Sequence, residues 1–258
     1  MTDTQTVIAG ARSDCKANVY AMIDQLFTGF FELHGDQITS DDPAIVAGLA
    51  KLADQPIAVI ATQKGNNLED RLATHFGSPE PAGYRKALRV MRLAEKLNFP
   101  IITLVNTPGA YPGADAEAAG QGQMIAKNIS EMLQLKVPIL TLIVGEAGSG
   151  GALALACSDQ IWMFENSMYS VLSPEGFASI MWKDAHLADK AAELMRLTPD
   201  WLLKQHAIHR IIPEKMLTDG SLKTALTSAI GELCQQDNAT RLAKRAAFFS
   251  KILTVCWF

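Results

Sequence analysis

Residues 137–157, VPILTLIVGEAGSGGALALAC, decide the fold. A proline opens a run of leucine and β-branched side chains that reads as a buried strand. Four glycines (Gly145, Gly148, Gly150 and Gly151) then fall within seven positions, ahead of an alanine-rich stretch that reads as the start of a helix. Glycine costs about 0.5–1 kcal/mol relative to alanine inside a helix, so its concentration between a strand and a helix needs a reason. The segment also has a counterpart upstream. NFPIITLVNTPGAYPG (98–113) repeats the order of proline, apolar strand and glycine-rich loop.

Working outward, PIAVIAT (56–62) reads as a further buried strand, followed by the polar loop QKGNNLEDR. YRKALRVMRLAEKL (84–97) is an amphipathic helix, with Arg85, Lys86, Arg89 and Arg92 forming a basic face read as solvated or as a partner contact. QIWMF (160–164) and MYSVLS (168–173) are short strands, the second ended by the turn SPEG. Strands alternating with helices predict an α/β fold built on a mainly parallel sheet. The segment to about residue 34 reads as helical, because Val19, Met22, Ile23, Leu26, Phe27 and Phe30 share a face, and HGDQITSDDPA follows as a polar loop. From residue 183 onward the pattern is helical as well. No low-complexity linker interrupts the chain, so a single domain over 1–258 is expected, with helical segments at 1–34 and 183–258.

Composition narrows the function classes. Of 258 residues, 48% are hydrophobic and 19% charged, which is the balance of a folded, core-rich chain. The net charge of −4 gives no electrostatic case for nucleic acid. No apolar stretch reaches the roughly 18–20 residues needed to span a bilayer, and MTDTQTVIAGARSD lacks the basic-then-apolar order of a secretory signal. Cys15, Cys157, Cys234 and Cys256 are far apart and form no C-x-x-C pair, so neither a metal site nor a disulfide framework is expected. A cytoplasmic protein with reduced thiols is the expectation.

The loops carry the chemistry. A strand running through glycines into a helix start exposes backbone N–H groups that lack intrahelical partners and lets a ligand approach the chain closely. Such a turn can hold a phosphate, stabilise an oxygen that becomes negative during reaction, or simply pack tightly. GEAGSGGA matches neither the P-loop nor the dinucleotide fingerprint. Ser149 in AGSGG is one substitution from a hydrolase elbow, but none of the five histidines is placed locally as its base. TPGAYPG (107–113) stiffens a turn with Pro108 and Pro112 around Tyr111, a binding wall or a packing residue. In SPEG, Glu175 is an acid–base candidate, although Pro-Glu is also a helix-start pair. All three loops follow apolar strands, where ligands of open parallel sheets collect.

Taken in order, HGD…DDPAIVAGLA, QKG, FGSPEPAGYRKALRVMRLAEK, PIITLVNTPGAYPG, VGEAGSGGALALA and YSVLSPEGFASIMWKDA resemble the carboxyltransferase alpha subunit of bacterial acetyl-CoA carboxylase. The likeness runs from about residue 27 to residue 214. It implies the crotonase-like (ClpP/crotonase) fold, a spiral of ββα units with helical extensions at both ends. It also implies transfer of a carboxyl group from carboxybiotin, held on a separate biotin carboxyl carrier protein, to acetyl-CoA, giving malonyl-CoA for fatty acid synthesis. The implied partner is a carboxyltransferase beta subunit in an α2β2 assembly, with any metal on beta and acetyl-CoA held mainly there. The resemblance places backbone oxyanion donors at Gly150, Gly151 and Ala152, with Gly148 shaping the approach. The substrate-binding loops would be Gly109, Ala110, Tyr111, Pro112 and Gly113, together with Ser173, Pro174, Glu175 and Gly176. The sequence departs from the family at Asn106, at Ala118 and Ala119, and in KMLTDG after Glu214. The alternatives are a hydratase or isomerase of the same fold, using Glu117, Glu146 or Glu175, and a non-catalytic scaffold for the beta subunit.

Overall fold

The computed structural model describes residues 3–14, 16 and 18–255. Cys15 and Cys256 lie outside them. The chain opens with α1 (Thr4–Arg12) and α2 (Val19–Leu26), then β1 (Thr28–Glu32), β2 (Ile45–Leu52) and β3 (Gln55–Thr62). Next come α3 (Leu68–Ala73), α4 (Pro81–Leu97) and β4 (Ile101–Thr107), and after the TPGAYPG loop α5 (Ala114–Ala118) and α6 (Gln121–Met132). β5 (Ile139–Gly148) leads into α7 (Ser149–Leu153), β6 (Gln160–Phe164) and β7 (Met168–Ser170). The remainder is α8 (Pro174–Trp182), α9 (Ala188–Met195), α10 (Pro199–Lys204), β8 (Arg210–Ile212), α11 (Lys215–Thr218), α12 (Ser221–Cys234) and α13 (Asn238–Val255).

The strands form one sheet in the order β1-β2-β3-β4-β5-β6-β8, with β7 added beside the end of β5. β1, β2 and β3 are antiparallel neighbours; the pairs from β3 onward, including β5–β7, are parallel. Both faces are covered, and the alternation of side chains sorts them. Ile101, Val105, Ile139 and Ile143 point toward α4, α6 and α7. Ile102, Leu104, Leu140 and Leu142 point toward α2 and α12. Each such side chain, fully buried, is worth about 1.5–3 kcal/mol. Thr103 and Thr141 occupy the first face and satisfy each other, Oγ1 to Oγ1 at 2.8 Å.

Three expectations are corrected, and one strand is added. The N-terminal segment is not helical to residue 34: Gly29 takes φ 62°, and Thr28–Glu32 pair with β2 as an edge strand. The run IVAGLAKL forms β2, apolar but for the exposed Lys51 because both its faces are covered. The C-terminal part contains β8, three residues long and parallel to β6. The basic face of α4 is solvated only at Arg92, which is exposed and pairs with Glu131 of α6. Lys86 is buried and donates to Asp41 and to the Asp42 carbonyl, while Arg85 pairs with Asp36 at 2.7 Å. Arg89 donates to the carbonyls of His34 and Gly35. Arg85, Lys86 and Arg89 thus fasten the HGDQITSDD loop to the body of the protein. Among the described residues, no helix is long and apolar enough to cross a membrane.

Candidate functional site at the end of β5

The glycine run divides between two elements. Gly145 and Gly148 lie in β5, whose last residues are held on both sides, Ala147 opposite Thr107 and Gly148 opposite Ser170. The helix starts earlier than the sequence suggested and is short, so residues 154–156 form a turn rather than its body. Ser149 opens it at φ 58°. A non-glycine residue there stores on the order of 1–3 kcal/mol of backbone strain, of the kind that collects at functional sites.

The geometry gives the glycines their reason. A Cβ on Gly148 would stand 2.0 Å from the Pro108 carbonyl oxygen. One on Gly151 would stand 2.3 Å from the Ala110 nitrogen and 2.8 Å from the Gly109 carbonyl carbon. The glycine turn and the TPGAYPG loop thus touch backbone to backbone, a distance no side chain permits. Gly150 differs: it is half-buried, and its Cβ would meet only the Ile125 methyl at 3.3 Å. Ala152 sends its methyl into the core.

The TPGAYPG loop is braced from beneath. Gly109, at φ 140°, is pinned by Thr107, whose Oγ1 donates to the Gly109 carbonyl at 2.9 Å. The Tyr111 N–H donates to the Pro79 carbonyl, and the buried Gln121 amide donates to the carbonyls of both Pro79 and Tyr111. His75 stacks on the Tyr111 ring at 4.0 Å. His75, Phe76 and Gly77 all have positive φ, so a strained turn delivers that stacking partner. Pro112 is exposed, and Gly113 avoids a clash with the Tyr111 ring. Asn106, one of the departures, accepts the Glu146 N–H at 3.0 Å and so joins the ends of β4 and β5.

SPEG reaches the site by a different route. Ser173 caps α8, its Oγ accepting the Gly176 N–H at 3.1 Å, with Pro174 in the first turn. Glu175 pairs with Arg12 of α1 through both carboxylate oxygens, at 2.6 and 3.2 Å. The same guanidinium donates to Glu146 at 2.8 Å, and Lys64 binds the other Glu146 oxygen. One arginine therefore ties α1, the end of β5 and the start of α8. The Arg12 hydrogen bond holds the Glu175 carboxyl below its usual value, partly opposed by burial.

Arg12→Met is expected to raise the Glu175 pKa, since burial is then no longer opposed by the guanidinium, and to lower the unfolding temperature at pH 7. A group depressed on folding stabilises above its unfolded pKa, so the gap between variant and parent should close as pH falls through the folded value. Carbon-13 titration of the glutamate carboxyls with melting curves checks both; an unchanged Glu175 titration refutes the linkage.

The histidines do not complete a serine triad. His34, His75 and His209 are engaged with Asp41, Glu80 and the Ile161 N–H, and among the described residues no histidine bonds Ser149. A cavity of about 220 Å³ opens beside Arg12, Lys64 and Asn106, but its cations are paired: Lys16 with Glu214 and Arg71 with Asp14, besides the contacts above. A larger cavity, about 720 Å³, lies at the other end of β5 around Asp159, Arg241 and Phe248. Among the described residues, no cluster of histidine, cysteine and carboxylate side chains could hold a metal. Arg12 could not be read as a partner beforehand, because its carboxylates lie 134 and 163 residues away.

Known proteins resemble this chain in sequence and in fold. A subunit alpha of acetyl-coenzyme A carboxylase carboxyl transferase from Streptococcus pyogenes serotype M12 is 58% identical over 214 residues, covering 83% of this chain and 84% of that protein. Its counterpart from Streptococcus equi subsp. zooepidemicus is 56% identical over 215 residues, with the same coverage. Among solved structures, transcarboxylase 12S superposes with a TM-score of 0.71 at 17% identity, over 88% of this chain and 44% of that one. The beta subunit of P. aeruginosa geranyl-CoA carboxylase gives 0.71 at 18% identity, over 89% and 44%. This chain thus spans under half of each solved chain, and at such identities the likeness carries the fold alone, which is the crotonase-like fold expected from the sequence. The family model described as acetyl co-enzyme A carboxylase carboxyltransferase-like matches residues 1–252, and with relatives this similar over four-fifths of its length the chain belongs to that family.

Proposed function

We propose that this chain is the alpha subunit of an acetyl-CoA carboxylase carboxyltransferase, acting in the cytoplasm with a beta subunit in an α2β2 assembly. It moves a carboxyl group from carboxybiotin, borne on a separate carrier protein, to acetyl-CoA, giving malonyl-CoA in the first step of fatty acid biosynthesis. The observation that carries the reading is the backbone contact between the glycine turn and the TPGAYPG loop. It packs the two loops through peptide groups with no side chain interposed, and leaves Gly150 and Ala110 partly exposed at the seam, as a cradle for an anionic oxygen requires. That cradle fits biotin's ureido group, which is planar and presents a single carbonyl oxygen.

When bound, carboxybiotin supplies the carboxyl group, and negative charge gathers on its ureido oxygen. The donors on this chain are the N–H groups of Gly150 and Gly151, with Ala152 completing the turn. With Gly148 as the helix cap, the first two lack an acceptor four residues back, whereas Ala152 has the Gly148 carbonyl there. Gly109 to Gly113 form one wall, and the capped start of α8, Ser173 to Gly176, is held in register by Arg12. Acetyl-CoA is held mainly by the beta subunit.

The ion pairs weigh against a hydratase or isomerase. Glu146 and Glu175 are each committed to Arg12, and Glu117 is exposed on α5, so no carboxylate stands ready as a general base. The test is the reverse reaction. With malonyl-CoA and free biotin, acetyl-CoA should form when this chain and its beta partner are mixed, and with neither alone. Formation by this chain alone would refute the division of labour, and silence from an assembled mixture would favour a scaffold.

A further inference from the structure

Tyr84, in the first turn of α4, is fully buried, and its hydroxyl has no hydrogen-bond partner. That hydroxyl lies under the glycine turn. A methyl on Gly151 would come within 2.7 Å of it, and the Ala110 nitrogen and the Gly109 carbonyl carbon border the same small space. The phenol therefore ends where the two loops meet backbone to backbone. Elsewhere the residue is anchored, its carbonyl accepting the Asn128 amide at 3.2 Å.

Burying an O–H without an acceptor costs stability, and a phenylalanine would fill the same space without that cost. Native structures keep few such groups, and each asks for a reason. Burial, and after it the Asp42 carboxylate, hold the phenol far above its ordinary pKa, so it stays a donor. A donor left unused in the resting protein but engaged as charge develops raises kcat rather than affinity. Its oriented dipole is strongest in a dry site such as this.

We propose that Tyr84 is a positioning residue for carboxyl transfer: its hydroxyl waits behind the Gly109–Ala110 and Gly151 peptides and engages that backbone when a ureido oxygen occupies the outer side of the turn, the more strongly as that oxygen gains negative charge. The inference rests on the reading of the turn as an oxyanion site. It assigns a task to FGSPEPAGYRKALR, a segment the site otherwise uses only for support.

Tyr84→Phe, assembled with the beta partner, tests it in the reverse reaction. The expected result is a fall in kcat on the order of tenfold, smaller than for a direct donor, with KM for malonyl-CoA unchanged. The unfolding temperature should stay level or rise, because no existing hydrogen bond is lost. An ordinary structural hydroxyl predicts the opposite pattern, so unchanged kcat, or a kcat loss that tracks a lower unfolding temperature, overturns the proposal. A second measurement does not depend on turnover. With ring-labelled tyrosine in a chain of 4 tyrosines, the Tyr84 carbon signal, assigned by its loss in the variant, should shift when free biotin is added to the complex. No shift overturns the role of Tyr84. A wild-type complex that shows the shift but no transfer overturns the carboxyltransferase reading instead.

Discussion

Gly151→Val is expected to abolish β-dependent carboxyl transfer while the protein still folds and assembles. The loss should reach at least the 10²–10³-fold on the order of which one oxyanion donor is worth. The reason is positional. The first carbon of the new side chain would fall 2.3 Å from the Ala110 nitrogen and 2.8 Å from the Gly109 carbonyl carbon, and neither can rotate away because both are main chain. The loop and the turn must part, and the donors move off their target. The φ of Gly151 is not in the left-handed region, so the effect isolates space from backbone strain. Two comparisons sharpen it. Gly150→Ala keeps its N–H and meets only a methyl at 3.3 Å, so it should cost much less. Gly231→Ala, in α12 with nothing within 4 Å, should leave activity unchanged and add up to about 1 kcal/mol of stability. Wild-type rates from an assembled Gly151→Val complex would remove the turn from the chemistry.

How much of this could be read beforehand depended on range along the chain. β3, β4 and β5 announced themselves because a buried parallel strand is a continuous apolar run, and the proline at the head of each of these runs marks where it starts. The SPEG cap was legible for the same local reason, since Ser173, Pro174 and Gly176 meet one another within four residues. β1 was lost because its aromatic residues continue the helical spacing of α2, and only Gly29 signals the change. β8, at three residues, is too short for any period to show. The basic face of α4 misled because its acidic partners, Asp36 and Asp41, sit 45 to 49 residues upstream. The site divides in the same way: the glycines and TPGAYPG are local motifs, whereas Arg12 and the hydroxyl of Tyr84 gain meaning only from what the fold places beside them.

The largest expected loss of stability comes from the far end of β5, at a residue the sequence did not mark. Arg245 of α13 is fully buried, and donates to the carbonyls of Met132, Leu135 and Val137 at 2.6, 2.9 and 3.1 Å. It also grips both oxygens of Asp159, at 2.8 and 2.7 Å. Asp159 in turn accepts the Ile139 N–H at 2.8 Å, so the pair fixes the first residue of the strand whose last residue is Gly148. Arg245→Met keeps much of the volume but strands three carbonyls and leaves the buried Asp159 carboxylate with only the more distant Arg241, at 3.8 Å, as a counter-charge. Breaking such a pair from one side costs about 3–5 kcal/mol. For a chain of this size that is a fall of roughly 10 °C in unfolding temperature. Because the two groups share one ion pair, the loss in the double variant Arg245→Met with Asp159→Leu should be smaller than the sum of the two single losses, even though Asp159→Leu also takes the counter-charge from Arg241 and the acceptor from the Ile139 N–H. Additive losses would mean that the carbonyl contacts, not the ion pair, hold the helix in place. In either case the clamp acts on the start of β5, so weakening it should loosen the glycine turn at the other end before the whole sheet unfolds, and transfer activity should fail at a lower temperature than the global transition.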